Sequence, residues 1–122
     1  MAKKMTKVSI IRSHLEEKNL TKNQIEFVVN LYHKVRNAKD PTVCHVFCDK
    51  MAKAMKITTE EVRSLVIFFK GWPYRLTATN DVADFAGFRC TDYFVSWLVD
   101  IGVLKKGIAT QLVILPAQKK RH

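Results

Sequence analysis

The residues with the widest chemical range in this sequence are its three cysteines, Cys44, Cys48 and Cys90. Cys44-His45 and Cys48 place two thiols and an imidazole within about one helical turn, and both groups are zinc ligands. Structural zinc sites usually have paired Cys or His motifs at two ends, whereas only one half of that pattern is present here, with His33 and Cys90 as distant additions. We therefore expect buried, reduced, metal-free cysteines, with a zinc site and a Cys–His nucleophile as minor alternatives.

Other signatures of catalysis are missing from the sequence. It contains no glycine-rich phosphate loop, no acidic pair in an apolar frame and no metal-hydrolase motif. We expect a protein that is not an enzyme and that needs no cofactor.

The lysines and arginines point to a different chemistry, the binding of polyanions. The 122 residues include 21 Lys and Arg against 11 Asp and Glu, which gives a net charge of +10. Such a surplus on a small protein predicts a nucleic acid, an anionic membrane or an acidic protein face as partner. Lys50, Lys53 and Lys56 recur at helical spacing and form a basic stripe. The stripe is interpreted either as a solvated helix face or as a surface that follows phosphates.

The periodicity of apolar residues predicts a mainly α fold with a small β component. Two of the helices begin with capping boxes, Thr21 with Gln24 and Thr58 with Glu61, and Gly71 ends the second of them. Helices are predicted over 8–18, 21–37, 42–55, 58–70, 81–86 and 91–101, and strands over 74–79 and 109–115.

Two segments have the spacing of a helix-turn-helix. Between Met51 and Leu65, the small Ala52 allows two helices to approach closely, and Lys56 occupies the turn position where glycine is usual. In the second segment, Ala83 and Gly87 have the same spacing, with glycine at the turn.

This second segment is followed by an apolar helix, a Gly-Val-Leu step at 102–104 and a basic hairpin candidate. Together these segments resemble the end of winged helix-turn-helix domains. The resemblance covers residues 57–116 and implies a winged C-terminal half with the N-terminal helical pair packed on it. Such domains place a recognition helix in the major groove of DNA and basic wing residues on phosphates. Together with the lysine stripe, it implies these nucleic-acid-binding residues: Lys50, Lys53, Lys56, Arg63, Arg89, Ser96, Lys105 and Lys106.

Aromatic residues crowd the segment 68–97, and most of them are predicted to fill the core. Trp72 lies in a predicted turn. We interpret it either as a lid on the core or as an exposed anchor for a protein partner.

These observations predict a single domain over 1–122, with loose ends at 1–7 and 117–122. With no secretory signal and no apolar run of about 18 residues, we expect a cytoplasmic protein that does not enter the membrane.

Our leading hypothesis is a small DNA-binding transcriptional regulator of bacterial or phage type, and a homodimer is compatible with it. The alternative is a protein-interaction module that docks on an acidic surface of a larger machine, such as a polymerase or nuclease. RNA binding is a third option without a module signature.

Overall fold

The computed structural model describes residues 6–38, 44–80 and 82–105, which form five helices and a three-stranded antiparallel sheet. The prediction of a mainly α fold with a small β component is therefore confirmed. The helices are α1 (Lys7–Glu16), α2 (Lys22–Asn37), α3 (Cys48–Met55), α4 (Thr59–Lys70) and α5 (Asp92–Asp100). The strands are β1 (His45–Phe47), β2 (Thr77–Ala78) and β3 (Gly87–Cys90), and β1 lies between α2 and α3 in the chain.

The N-terminal helices α1 and α2 form a pair whose ends are defined by threonine caps. Thr21 and Gln24 form the expected capping box at the start of α2, and Thr6 caps α1. Arg12 on α1 makes a two-pronged ion pair with Glu26 on α2. Because both side chains are about one-third exposed, that pair contributes at most about 1 kcal/mol. The apolar residues buried between the helices contribute more.

A tight turn centred on Lys56 joins α3 to α4. Lys56 adopts the left-handed conformation, with φ 61° and ψ 44°. The Ile57 amide donates to the carbonyl of Ala52 at 3.0 Å, and the Lys56 amide donates to Lys53. This is a Schellman ending with lysine at the position that glycine usually occupies. The capping box of Thr58 then starts α4. The helix pair α3–α4 therefore forms in the segment between Met51 and Leu65, where the first helix-turn-helix spacing predicted it.

The sheet corrects the prediction of one helix over 42–55. Residues 45–47 instead form β1, which pairs antiparallel with β3 through Val46 opposite Phe88. The alternation of exposed and buried side chains along β1 is the period of a strand, and α3 begins only at Cys48. Residues 39–43 lie outside the described part of the chain. In the sheet β3 is central, flanked by β1 and β2.

The hairpin formed by β2 and β3 corrects the prediction of a helix over 81–86 with a turn at Gly87. Among the described residues of that segment, 82–86 form a loop with an exposed Ala83, and Gly87 begins β3 outside the left-handed region. The reason is backbone pairing: Gly87 lies opposite Phe47, and the amide of Cys48 donates to the carbonyl of Ala86 at 2.9 Å. The second spacing is therefore not a helix-turn-helix, and the predicted strand over 74–79 is reduced to Thr77–Ala78.

The C-terminal helix α5 forms where the periodicity predicted it. Thr91 caps its start, and it ends in a second Schellman arrangement, with Gly102 at φ 86° and Val103 donating to the carbonyl of Leu98. The predicted strand over 109–115 lies outside the described residues.

Stacked aromatic rings hold the helices and the sheet together in one core. Phe27 on α2 stacks on Phe69 of α4 with ring centroids 5.6 Å apart, and Phe88 of β3 lies 5.8 Å from Phe27. Each such pair adds about 0.5–1.5 kcal/mol beyond the burial of its area. Most aromatic residues of the segment 68–97 fill the core as expected, and Phe68, Trp72 and Tyr93 are the exposed exceptions.

Candidate nucleic-acid interface

The three lysines of the stripe are brought together on α3 and its C-terminal turn. All three side chains are exposed. With 100° between successive residues, Lys50 and Lys53 point away from the side of α3 that buries Met51 and Ala52. Within the described part of the chain, none of the three lysines forms an ion pair. The stripe therefore presents three positive charges on a helix anchored in the core, with the exposed Asp49 one turn before Lys53.

An exposed aromatic ring continues this stripe onto the sheet. Phe47 is the last residue of β1 and the N-cap of α3, and it is 56% exposed. The Lys50 ammonium lies 5.9 Å from the centroid of the Phe47 ring, within the range of a cation–π contact.

The outer face of the sheet forms a shallow groove of about 420 Å³. Arg89 lies in this groove on β3, directly opposite His45 on β1. The resemblance implied a position for Arg89 near the start of the helix predicted over 91–101, and Arg89 does lie three residues before α5 begins, on the exposed face of the sheet. The groove is lined by His45, Val46, Phe47, Ala78, Thr79, Asn80, Gly87, Phe88 and Arg89.

The outward face of α4 borders the loop between β2 and β3 and differs in character from the lysine stripe. Ile67 and Val82 are each about half exposed there. Together with Glu60, Ser64 and the loop residues 83 and 85 they line a groove of about 370 Å³. Arg63 is the only cation among these described lining residues.

The Arg63 side chain binds that loop. Its Nε atom donates to the carbonyl oxygen of Phe85 at 2.9 Å, and its guanidinium pairs with Glu60 one turn earlier. The side chain is only 19% exposed. Arg63 therefore stabilises the contact between α4 and the loop and does not extend toward a ligand.

The remaining predicted residues are dispersed. Ser96 is half-buried on α5, Lys105 is exposed beyond the end of that helix, and Lys106 lies outside the described residues. The basic hairpin candidate that follows the Gly-Val-Leu step at 102–104 was expected to be the wing, and it is corrected in its described part, because residues 103–105 form no strand and Val103 is buried against the end of α5. The two-stranded hairpin that follows a helix pair is instead β2–β3.

Trp72 follows the C-terminal end of α4 and is 83% exposed, so it is not a lid on the core. Nearby, the rings of Phe68 and Tyr74 lie 5.5 Å apart. A second aromatic ring beside a cation lies at the start of α5, where the Arg75 guanidinium is 4.3 Å from the ring centroid of Tyr93.

The three cysteines are free thiols in the core. Contact between the Cys44 and Cys90 thiols lowers the pKa of Cys44, while the same contact together with burial raises that of Cys90. Burial also raises the pKa of Cys48, whose Sγ donates to the carbonyl of Phe85. In the described ranges, no three His, Cys, Asp or Glu side chains converge as a metal site would require.

His45 and Phe47 were missed by sequence reasoning because a helix was predicted over their segment. The usable signal was the alternation in Cys44-His45-Val46-Phe47, which is typical of a half-buried strand.

None of the helices in the described residues combines the length and apolar character needed to cross a membrane. Comparison with protein-family models, with curated proteins and with solved structures found no match to this chain.

Proposed function

We propose that this protein binds duplex DNA through its phosphates, with the lysine stripe of α3 as the main contact surface. The observation that carries the proposal is the exposure of Lys50, Lys53 and Lys56 on α3, which is anchored in the core, and on its C-terminal turn. The order α3, turn, α4, β2 and β3 supports it, because a helix pair followed by a hairpin is the arrangement in winged helix-turn-helix domains. This unit covers 48–90 and replaces the expected 57–116.

Electrostatics sets the size of the expected effect. Each phosphate that a cation neutralises releases counterions, so log K falls with log[salt] by about 0.9 per contact. Three lysines on one support, within a chain of net charge +10, are enough for a measurable non-specific affinity.

The outward face of α4 argues for little dependence on base sequence. Reading of bases in the major groove relies mostly on Arg, Lys, Asn and Gln side chains aimed at base edges. Among the described residues that line this face, Ser64 is accompanied by the acidic Glu60 and the apolar Ile67 and Val82. Arg63 is held by its hydrogen bond to the loop. We infer a DNA-binding accessory protein or regulator whose affinity comes from the phosphate backbone.

The test replaces Lys50, Lys53 and Lys56 with Gln and measures affinity for a blunt duplex by fluorescence anisotropy over a range of salt concentrations. We expect at least a tenfold loss of affinity and a salt slope smaller by about two to three. The matched control replaces three other exposed lysines, Lys7, Lys18 and Lys22, with Gln and so removes the same charge. Equal losses in the two variants, or no binding of duplex by the wild type, would refute the proposal.

A protein partner with an acidic surface is the second candidate function, favoured by one observation. Trp72 is 83% exposed two residues after Lys70, the last residue of α4, and an exposed tryptophan suits an interface anchor. Under this hypothesis, polyglutamate competes with duplex DNA for the protein, and Trp72→Ala weakens the polyglutamate complex while leaving duplex affinity unchanged. If polyglutamate does not bind, the hypothesis fails.

A further inference from the structure

We propose that the outer face of the sheet is a second binding site, which takes an unpaired nucleotide of a single strand by stacking its base on Phe47. This inference rests on the proposed function, since it places the single strand next to the duplex held by the lysine stripe. The ligand class is a single-stranded DNA or RNA segment.

The geometry of Phe47 and Gly87 makes a stacking platform. The two residues lie opposite each other on β1 and β3. A Cβ atom built on Gly87 would lie 3.6 Å from Cδ1 of Phe47, which is van der Waals contact with the ring. Because Gly87 has no side chain, that position leaves the edge of the phenyl ring uncovered, and 56% of Phe47 is open to solvent. An exposed ring is what base stacking needs.

Two cations lie near this platform, together with the exposed Asp49 of the first turn of α3. Lys50 lies near the Phe47 ring, and Arg89 lies across the strands from His45 on the same exposed face. Of the described residues that line the groove, none is acidic. A base stacked on Phe47 therefore has cations within reach of its phosphates, which is the combination of aromatic and basic groups that characterises single-strand binding surfaces.

The size and polarity of the groove fit one nucleotide. Its volume of about 420 Å³ lies in the range of small-ligand sites. Asn80 at its edge is exposed and offers an amide to a base edge, whereas the hydroxyl of Thr79 already donates to the carbonyl of Gly87. An intact duplex has no free base face along its length, so this site selects unpaired nucleotides.

The connection to α3 gives the order of the two sites. Phe47 is both the end of β1 and the N-cap of α3, so the platform and the lysine stripe adjoin without an intervening loop. A duplex lying along Lys53 and Lys56 can continue as a single strand past Lys50 onto Phe47. The expected ligand is a junction between duplex and single strand.

The experiment compares three oligonucleotides: a blunt duplex, the same duplex with a six-nucleotide thymine extension, and the single strand alone. The variant is Phe47→Leu. Its matched control is Tyr93→Leu, because Tyr93 is 57% exposed and also carries a cation over its ring. We expect Phe47→Leu to weaken binding of the extended duplex about 5- to 20-fold, within the roughly 1–3 kcal/mol of one base stack. We expect no change for the blunt duplex or for the control.

A second readout reports stacking directly. With 2-aminopurine at the first unpaired position, binding quenches its fluorescence in the wild type and not in Phe47→Leu. Arg89→Gln, an exposed substitution that leaves the ring in place, retains the quenching but binds the extended duplex less tightly.

The outcomes separate the two proposals. If the extension adds no affinity over the blunt duplex, or if Phe47→Leu and Tyr93→Leu behave alike, the second site is refuted and duplex binding stands. If the triple lysine variant binds blunt duplex like the wild type while the extension still stacks on Phe47, duplex binding by the stripe is refuted and the single-strand site stands.

Discussion

The Nε atom of Arg63 donates a 2.9 Å hydrogen bond to the carbonyl oxygen of Phe85. The same carbonyl accepts from the Sγ of Cys48, so residues from α3 and α4 meet at one backbone oxygen of the loop between β2 and β3. A side chain that resembled a base-reading arginine in the sequence is thus a structural tie between helix and hairpin.

Replacing Arg63 with Ala is expected to lower the free energy of unfolding by about 1–2 kcal/mol, because a charge-assisted hydrogen bond in a half-buried place is lost. Glu60→Ala removes only an exposed partner and is expected to cost about 0.5 kcal/mol or less. Urea unfolding of both variants checks this. Equal effects of the two substitutions would contradict the role given to the Phe85 contact.

Lys56→Gly is expected to raise stability and weaken DNA binding at once. A left-handed conformation costs an L-residue about 1–2 kcal/mol, and the greater freedom of glycine in the unfolded chain offsets about half of that. The net gain is about 0.5–1 kcal/mol. Lys53→Gly removes the same charge from the helix interior and is expected to lose about 1 kcal/mol. The two variants should bind duplex DNA equally weakly while their melting temperatures shift in opposite directions.

Gly87→Val is expected to destabilise the protein by about 1–3 kcal/mol, through crowding and not through a left-handed backbone. A Cβ atom at this position lies 3.0 Å from the carbonyl oxygen of Val46, which belongs to the paired strand. At Gly71 the nearest atom is an ordinary 3.7 Å away, so Gly71→Ala serves as the control, with a change of about 0.5 kcal/mol or less. Thermal unfolding measures the effect. Equal melting temperatures for Gly87→Val and the wild type would contradict the crowding predicted at this position.

The capping box of α4 should lose its contribution to stability in acid. The backbone amide of Thr58 donates to Glu61 and holds the pKa of that carboxyl below its ordinary 4.5. A carboxyl whose pKa is lowered by folding stabilises the protein above its unfolded pKa, and the stabilisation disappears as pH falls through the folded pKa. The wild type should therefore exceed Glu61→Gln in unfolding free energy at about pH 6, and the difference should shrink toward about pH 3. A difference that does not depend on pH would contradict the role of the charged carboxylate.

All three thiols are expected to remain reduced and metal-free. Native mass spectrometry should show only the mass of the polypeptide, and a thiol reagent should label Cys44, Cys48 and Cys90 slowly unless the protein is unfolded, because each is buried. One zinc ion that survives dialysis would overturn this expectation.

The helices were largely predictable, and the reason is local. The capping boxes at Thr21 and Thr58 and the glycines 71 and 102 act within one turn of the chain, so their effect is visible in the sequence. The left-handed Lys56 shows the limit of residue preference: burial of the apolar residues on either side of the turn outweighs a strain of about 1–2 kcal/mol.

The sheet was only partly predictable because its strands depend on distant partners. β1 has three residues, and its conformation follows from pairing with β3, whose paired residues come 40 to 44 positions later. A helical period was assigned to 42–55 because Val43, Val46 and Phe47 also fit helical spacing. The candidate face around Phe47 and Arg89 was hidden for the same reason, since it exists only after the strands pair.

The absence of a loop between β1 and α3 has a consequence for any ligand that touches both. Phe47 and Lys53 are joined by continuous strand and helix backbone, and the Cys48 amide anchors that junction to Ala86. The separation of the backbone positions that carry the ring and the lysines is therefore set by the strand and the helix, and only the side chains can adjust. If the two proposed sites bind one ligand, this fixed backbone spacing favours ligands whose stacking group and charges are separated by the same distance.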